Sequence, residues 1–445
     1  MNKTVKFGTD GIRGNSQKFP FTNEALMNLG YSIAEWSILK YKKNNPKVLI
    51  GHDTRISCKR IKEQLERSFT LKNLEIIDAK ILPTPAICKL TNYYKDFDFG
   101  IIISASHNPY YDNGIKLVDA KTGKLKPEDE KIIENNFAKN LKSFKDQTIN
   151  IKNKIKKWPE AKDKYIKIIE QMFKEKFLEN KKVVLDCANG STYMIAPKIF
   201  QRLGAEVITI NNEPDGKNIN KNCGALFTKN LEKEILKHKA DIGFAFDGDG
   251  DRVIAVNYKG QRIDGDQILA LLSNHSKVTK DRTIVGTVMS NLGLDLYLKQ
   301  KNFNIIRTKV GDKYVAAELL DKKLFLGGET SGHIIMTDYL NTGDGIFTAL
   351  RIIEMAILKN NWELSLFKKT PQIIINVPVT EKKDLTAPIY SNIIKKHQKL
   401  LKTGRIVVRY SGTENLLRIM TEGKEEKLTI NIANSLAKNF KKVLN

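Results

Sequence analysis

Phe99-Gly100-Ile101-Ile102-Ile103-Ser104-Ala105-Ser106-His107-Asn108-Pro109 passes abruptly from an unbroken apolar run into a polar loop. An apolar run without polar alternation fits a strand buried on both faces, as in a parallel sheet held between helices. The junction recurs twice. Ile242-Gly243-Phe244-Ala245-Phe246 leads into Asp247-Gly248-Asp249-Gly250-Asp251-Arg252. Leu324-Phe325-Leu326 leads into Gly327-Gly328-Glu329-Thr330-Ser331-Gly332-His333. In open α/β sheets, ligands bind beyond the carboxyl ends of strands. Three such ends with three chemically different loops point to one shared cleft.

Upstream of each junction one plan repeats: strand, helix, strand, helix, strand. In the first unit Val48-Leu49-Ile50 is a strand, Ser57 to Phe69 a helix and Leu74-Glu75-Ile76-Ile77 a strand, and Pro85 opens the next helix. In the second, Val183-Val184-Leu185 and Val207-Ile208-Thr209-Ile210 are strands, with helices near Tyr193 to Leu203 and Leu231 to His238. In the third, Thr283-Ile284-Val285 and Asn304-Ile305-Ile306 are strands, with helices near Leu292 to Lys301 and Lys313 to Leu320. Such alternation predicts parallel sheets covered on both faces. From about Pro371 the chain departs from the plan. Strands near Ile373 to Val377, Ile406 to Arg409 and Leu416 to Ile419 read as a smaller α+β domain closing over the cleft. The expected fold class is α/β: three α/β domains of common topology plus the C-terminal α+β domain. The expected divisions are 1–155, 156–258, 259–370 and 371–445.

Bulk composition narrows the function. With 445 residues, 41% hydrophobic and 28% charged, the chain has room for several soluble domains with sizeable cores. No run approaches the ~18 consecutive apolar residues of a membrane span, and Met1 to Gly8 lacks an apolar signal core. Cys58, Cys88, Cys187 and Cys223 are scattered without zinc spacing and read as reduced thiols, which fits a cytoplasmic protein. The net charge of +25 comes without a nucleic-acid motif. It reads as compositional drift that would still attract a phosphorylated substrate.

The loops carry the chemistry. Asp247, Asp249 and Asp251 alternate with glycines, which let the backbone bend so that all three can face one ion. Carboxylate oxygens suit Mg²⁺ or Ca²⁺, not zinc. An EF-hand is excluded, because Arg252 and Tyr258 fall where its glycine and bidentate glutamate belong. Ser106 is a nucleophile candidate at a strand end, but Ser106-His107 by itself is equally an ordinary loop, since adjacent side chains in a strand point apart. No GxSxG elbow supports an esterase-like triad. Arg409, Ser411, Gly412 and Thr413, with Arg418 beyond, combine two guanidinium groups, two hydroxyls and open backbone N–H groups. That set suits a phosphate dianion, although a surface turn would look similar. Glu329, Ser331 and His333 offer partners for sugar hydroxyls, or form a polar turn.

Taken in order, Phe7-Gly8-Thr9-Asp10-Gly11-Ile12-Arg13-Gly14, the Ser106 loop, the Asp247 loop, Gly328 to His333 and Arg409 to Glu414 resemble the α-D-phosphohexomutase superfamily over nearly the whole chain. The opening motif and the Gly-Glu-x-Ser-Gly-His form are most similar to the bacterial phosphoglucosamine mutase family. The resemblance implies a heart-shaped four-domain enzyme that interconverts glucosamine 6-phosphate and glucosamine 1-phosphate, toward UDP-N-acetylglucosamine. It implies that Ser106 carries the phosphoryl group and that Asp247, Asp249, Asp251 and the phosphoserine hold Mg²⁺. It further implies that Glu329 and Ser331 bind the sugar. Arg409, Ser411, Gly412, Thr413 and Arg418 would grip the non-reacting phosphate. Arg13, His107, Lys116, Arg252 and His333 would stabilise charge or move protons. A sugar bisphosphate would be the intermediate and a candidate activator.

Four positions depart from the family pattern. His52 stands where Lys is usual, Thr330 where the glucosamine enzymes have Gln, and Tyr410 and Asn415 where prolines occur. Losing the prolines predicts a less restrained phosphate loop. Two rivals keep related chemistry: a phosphomannomutase/phosphoglucomutase with another sugar, and a metal-dependent phosphatase. A basic nucleic-acid-binding protein is a third. No nucleic-acid or membrane partner is expected, and the oligomeric state is left open between monomer and homodimer.

Overall fold

The computed structural model describes residues 4–121, 123–140, 155–401, 403–411 and 415–444. Four sheets follow one another along the chain. The first orders its strands Ile12–Asn15, Asp112–Asp119, Phe99–Ile103, Lys47–His52, Glu75–Ile81, Ile155–Lys157, with Gly123–Lys124 beside Asp112–Asp119. The second runs Arg262–Ile263, Val253–Asn257, Ile242–Phe246, Lys182–Asp186, Glu206–Ile210. The third runs Asn304–Thr308, Thr283–Thr287, Leu326–Gly328, Ile334–Met336. In the fourth, Leu416–Gly423 lies between Gln372–Pro378 and Gly404–Tyr410.

The three repeated units are present, with one correction. The sequence predicts parallel sheets, and the sheet of each unit proves to be a parallel trio extended by antiparallel pairing. The expected trio of strands is parallel in each unit. The chain then turns back antiparallel: Phe99–Ile103 pairs with Asp112–Asp119, Ile242–Phe246 with Val253–Asn257, and Leu326–Gly328 with Ile334–Met336. The cause is loop length. A parallel return needs a crossover of roughly a dozen residues or more, and these functional loops are too short for one. The third strand of the last unit also lies further toward its loop than the expected Leu324–Leu326.

Burial explains how the units hold together. One continuous apolar core joins Leu49 and Ile102 of the first sheet to Phe244 of the second and Ile284 and Leu326 of the third. The opposite face of the first sheet packs Trp36, Phe69, Phe99 and Phe137. Each such side chain contributes about 1.5–3 kcal/mol, so the three α/β units behave as one body. The C-terminal sheet has its own small core around Val377, Ile419, Leu436 and Phe440. No helix among the described residues is long and apolar enough to cross a membrane.

Candidate active site

Ser106 sits in a left-handed turn at φ 52°, completely buried. Its Oγ donates to Asp247 Oδ2 at 2.6 Å, across from the second unit. His107 Nδ1 lies 3.3 Å from the same oxygen. The strand argument that separated these neighbours fails because Ser106 has left the strand. The turn is clamped from both sides. Buried Arg55 pairs with buried Asp53 at 2.9 Å and donates to the carbonyls of Ser106, Asn108 (both 2.8 Å) and Pro109. Asn220, from the second unit, donates to Ser106 O at 2.9 Å and Asn108 O at 3.1 Å. Ser104 Oγ accepts from Ser106 N–H at 2.9 Å and donates to Asp53 at 2.6 Å. A left-handed residue with a Cβ costs about 1–2 kcal/mol, and these bonds offset it.

The acidic loop converges as its spacing predicts. Asp247, Asp249 and Asp251 are buried, and each presents a carboxylate oxygen within 4.8 Å of the others. The glycines make this possible: a Cβ on Gly248 would stand 2.6 Å from Ser106 O, and Gly250 adopts φ +72°. Burial, then Asp251 and Asp249, push the Asp247 carboxyl well up. Among the described residues, Asp249 Oδ1 and Asp251 Oδ1 have no hydrogen-bond partner. Three buried oxygen donors of one sign, two with unsatisfied atoms, fit a hard divalent cation held by carboxylates.

Around this cluster stand the expected cations. Lys116 Nζ lies 2.8 Å from Asp249 Oδ2 and 3.3 Å from Asp251 Oδ2. It also reaches Asp10 Oδ2 at 2.7 Å. Burial opposes its charge, but Asp10, Asp249 and Asp251 hold its pKa well above the ordinary value. Arg13 pairs with Asp10, and Arg252 lies 3.8 Å from Asp251 Oδ1. Burial, with Arg252 and Arg13 nearby, pushes His107 down to about 3, so it is neutral at physiological pH. His333 Nδ1 lies 3.6 Å from Asp251 Oδ1, and its Nε2 accepts from Gly343 N–H at 2.9 Å, which places the ring proton on Nδ1.

The sugar-side loop lies alongside. Glu329 Oε1 accepts from Gly311 N–H at 2.9 Å, and Glu329 acts electrostatically on both Arg252 and Arg409. Ser331 Oγ is buried and has no hydrogen-bond partner among the described residues. Arg409 and Arg418 are directly opposite on adjacent strands of the C-terminal sheet. Burial and then Arg418 lower the Arg409 pKa, a like-charge pairing that an anion between them would relieve. Ser411 is buried and its N–H donates to Leu416 O at 2.8 Å. Gly412 and Thr413 lie outside the described residues. Where a proline was expected, the Tyr410 hydroxyl accepts from Lys383 N–H at 2.9 Å, and Lys382 Nζ donates to Ser411 O at 2.7 Å, restraining this end of the loop.

Several residues of the site were given no role from sequence. Asp10 anchors both Lys116 and Arg13, and Thr84 Oγ1 donates to Asp249 Oδ2 at 2.5 Å. Asp53, Arg55 and Asn220 hold the serine turn. The signal for Asp10 was available as an acid three residues before Arg13 within the quoted opening motif.

Comparison with known proteins agrees with this geometry. Family models described as phosphoglucomutase/phosphomannomutase match in order: α/β/α domain I over residues 4–144, domain II over 163–260, domain III over 264–371 and the C-terminal domain over 374–439. Phosphoglucosamine mutase of Syntrophus aciditrophicus is 42% identical, covering 98% of this chain and 99% of its own. That of Proteus mirabilis is 40% identical over the full length of both. A phosphoglucomutase/phosphomannomutase family protein of Burkholderia thailandensis superposes with a TM-score of 0.78 at 20% identity, covering 99% and 98% of the two chains. An N-acetylphosphoglucosamine mutase of Aspergillus fumigatus, solved with GlcNAc-6P and magnesium, gives 0.66 at 16% identity, covering 100% and 96%. With all four domains matched and relatives at about 40% identity end to end, the chain belongs to the phosphoglucomutase/phosphomannomutase family, in the group of the phosphoglucosamine mutases.

Proposed function

We propose that the chain interconverts glucosamine 6-phosphate and glucosamine 1-phosphate through a phosphorylated Ser106, supplying a precursor for UDP-N-acetylglucosamine in the cytoplasm. The observation that carries this reading is the 2.6 Å approach of Ser106 Oγ to the first of three convergent buried carboxylates. The sugar identity rests on the relatives' shared activity. Each of the four domains carries one functional loop. Of the expected divisions, the first moves to after Lys157 and the second to after Ile263, because strands Ile155–Lys157 and Arg262–Ile263 pair within the first and second sheets.

In the forward half-reaction the bond between phosphorus and Ser106 Oγ breaks, and a new bond forms to the free hydroxyl of the sugar monophosphate, whose proton passes to a nearby base. The sugar bisphosphate turns, and its other phosphoryl group returns to Ser106. The same bisphosphate can recharge an unphosphorylated serine, which makes it an activator. Asp247, Asp249 and Asp251, with the phosphoserine, hold Mg²⁺, which when bound neutralises charge on the transferring group. Lys116, Arg13 and Arg252 supply fixed positive charge around the same point. His107, held neutral, and His333, whose pKa is raised against burial by Asp251 and Asp312, are the groups able to exchange protons there. Glu329 and Ser331 orient the sugar. Arg409, Ser411, Gly412, Thr413 and Arg418 hold the distal phosphate, with closure of the C-terminal domain excluding water.

Two outcomes are expected. Glucosamine 6-phosphate gives a higher kcat/KM than glucose 6-phosphate or mannose 6-phosphate in parallel assays. A clear preference for either of the others would reassign the sugar, and release of inorganic phosphate without isomerisation would make the protein a phosphatase. In isothermal titration, Asp251→Asn weakens Mg²⁺ at least about tenfold, because even neighbours of a metal ligand change affinity by that much. Wild-type affinity in this variant would remove Asp251 from the metal site.

A further inference from the structure

The helix Gly265–Leu272 opens with Asp264-Gly265-Asp266-Gln267, and this turn touches two functional regions at once. On one side is the sugar loop. Gly265 N–H donates to Thr330 O at 3.1 Å, and the Thr330 hydroxyl donates to Asp266 Oδ2 at 3.0 Å. A Cβ on Gly265 would stand 1.9 Å from Glu329 O, so backbone meets backbone there. On the other side is the chain entering the C-terminal domain. Gln267 Nε2 donates to Phe367 O, and Leu366 N–H donates to Gln267 Oε1, both at 2.8 Å. Lys369 pairs with Asp264.

Asp266 extends the connection. It is fully buried, and the oxygen that holds Thr330 also accepts from Asn291 N–H at 2.8 Å. Asn291 is tied to Thr370 by two bonds of 2.9 Å. The next residue, Leu292, donates its N–H to Glu422 Oε1 at 2.6 Å. Glu422 Oε2 accepts from Arg405 Nε at 2.6 Å, and Arg405 Nη1 donates to Val288 O at 3.0 Å. Glu422 and Arg405 stand on the two strands that carry Arg418 and Arg409. The C-terminal domain has its own apolar core, and these directional bonds join it to the rest.

We propose that the Asp264–Gln267 turn is a positioning hub that couples the seating of Glu329 and Ser331 on the sugar to the seating of Arg409 and Arg418 on the phosphate. The proposal rests on the mutase reading above. Its physical content is that Thr330 and Asn291 share one buried carboxylate oxygen, so displacing either displaces the other's anchor. An intermediate that must turn within the site needs both grips to loosen and re-form together, and a shared anchor provides that.

The test is a double-mutant cycle on the full chain. Thr330→Val removes the hydroxyl at nearly constant shape and is expected to raise KM for glucosamine 6-phosphate about tenfold, the effect of losing a hydrogen bond to a charged group. Free sugar bisphosphate in solution rises with it, while kcat changes less than about threefold. Arg405→Gln acts from the other end with a similar KM change. If the hub couples them, the double variant stays near a tenfold rise; independent sites would multiply to about a hundredfold. Thr330→Ser restores the hydroxyl and should restore KM. Asp266→Ala should match the double variant, and Thr330→Val keeps the test open if that variant fails to fold. A multiplicative double variant, or unchanged KM in Thr330→Val, overturns the hub. Wild-type protein that does not isomerise the sugar phosphate overturns the mutase reading and the hub together.

Discussion

Ser106→Ala is expected to lose turnover by at least about four orders of magnitude while keeping the wild-type fold. The loss is large because Ser106 Oγ is the atom that accepts and returns the phosphoryl group. The hydroxyl of the neighbouring Ser104 is not free to substitute. Ser104 Oγ is engaged with Asp53 at 2.6 Å and with Ser106 N–H at 2.9 Å. The fold survives for a local reason. Serine and alanine both carry a Cβ, so the left-handed conformation at φ 52° costs the same in each. The clamps from Arg55 and Asn220 grip the carbonyl of residue 106 and are untouched. The bonds of the hydroxyl to Asp247 and His107 disappear, each worth roughly 1 kcal/mol net. Steady-state assay, phosphopeptide mass spectrometry and thermal melting check the three parts. A folded alanine variant that turns over near the wild-type rate would exclude a covalent route through Ser106.

The parts of the molecule legible in sequence were those written locally. An apolar strand running into a polar loop was enough to place Ser106, Asp247 and Glu329 at equivalent strand ends, and alternating aspartates were enough to propose a cation. What escaped was non-local or locally disguised. Asp10 pairs locally with Arg13, but its link to the acidic loop runs through Lys116, more than a hundred residues away, and Asn220 matters through its reach to the Ser106 carbonyl. The helix Asn23–Tyr41 was invisible because its buried face includes Asn28, Ser32 and Ser37, which break the apolar period. Two of these are satisfied within the helix, Ser32 by Asn28 O and Ser37 by Ala34 O, each at 2.8 Å. The antiparallel strands escaped because apolar runs specify burial and leave direction to the length of the connecting loop. The Asp264–Gln267 turn has an ordinary capping sequence, and its significance lies in what folds against it.

Lys116→Met is expected to reduce turnover about 10²- to 10³-fold and, at the same time, to bind Mg²⁺ more tightly. Both effects follow from one position. Lys116 Nζ stands among Asp10, Asp249 and Asp251 at 2.7, 2.8 and 3.3 Å, and it is buried with them. It occupies the Oδ2 atoms of Asp249 and Asp251, whose Oδ1 atoms have no hydrogen-bond partner among the described residues. A fixed cation there lowers the cost of gathering negative charge when a phosphoryl group arrives, so its loss slows transfer. The same cation repels a divalent ion approaching those carboxylates. Removing it deepens the negative potential, and an affinity gain of about tenfold is expected even with strong screening. Methionine roughly preserves the length and packing of the lysine stem, so a cavity is not the cause of the change. The metal-free variant should be less stable by about 3–5 kcal/mol, because its carboxylates are left buried and uncompensated. Saturating Mg²⁺ should then restore more stability in the variant than it adds to the wild type. Isothermal titration, denaturant unfolding with and without Mg²⁺, and steady-state kinetics separate these contributions. Weaker Mg²⁺ binding would mean that Lys116 shapes the acidic loop instead of competing for it, and unchanged turnover would remove Lys116 from the charge-stabilising set.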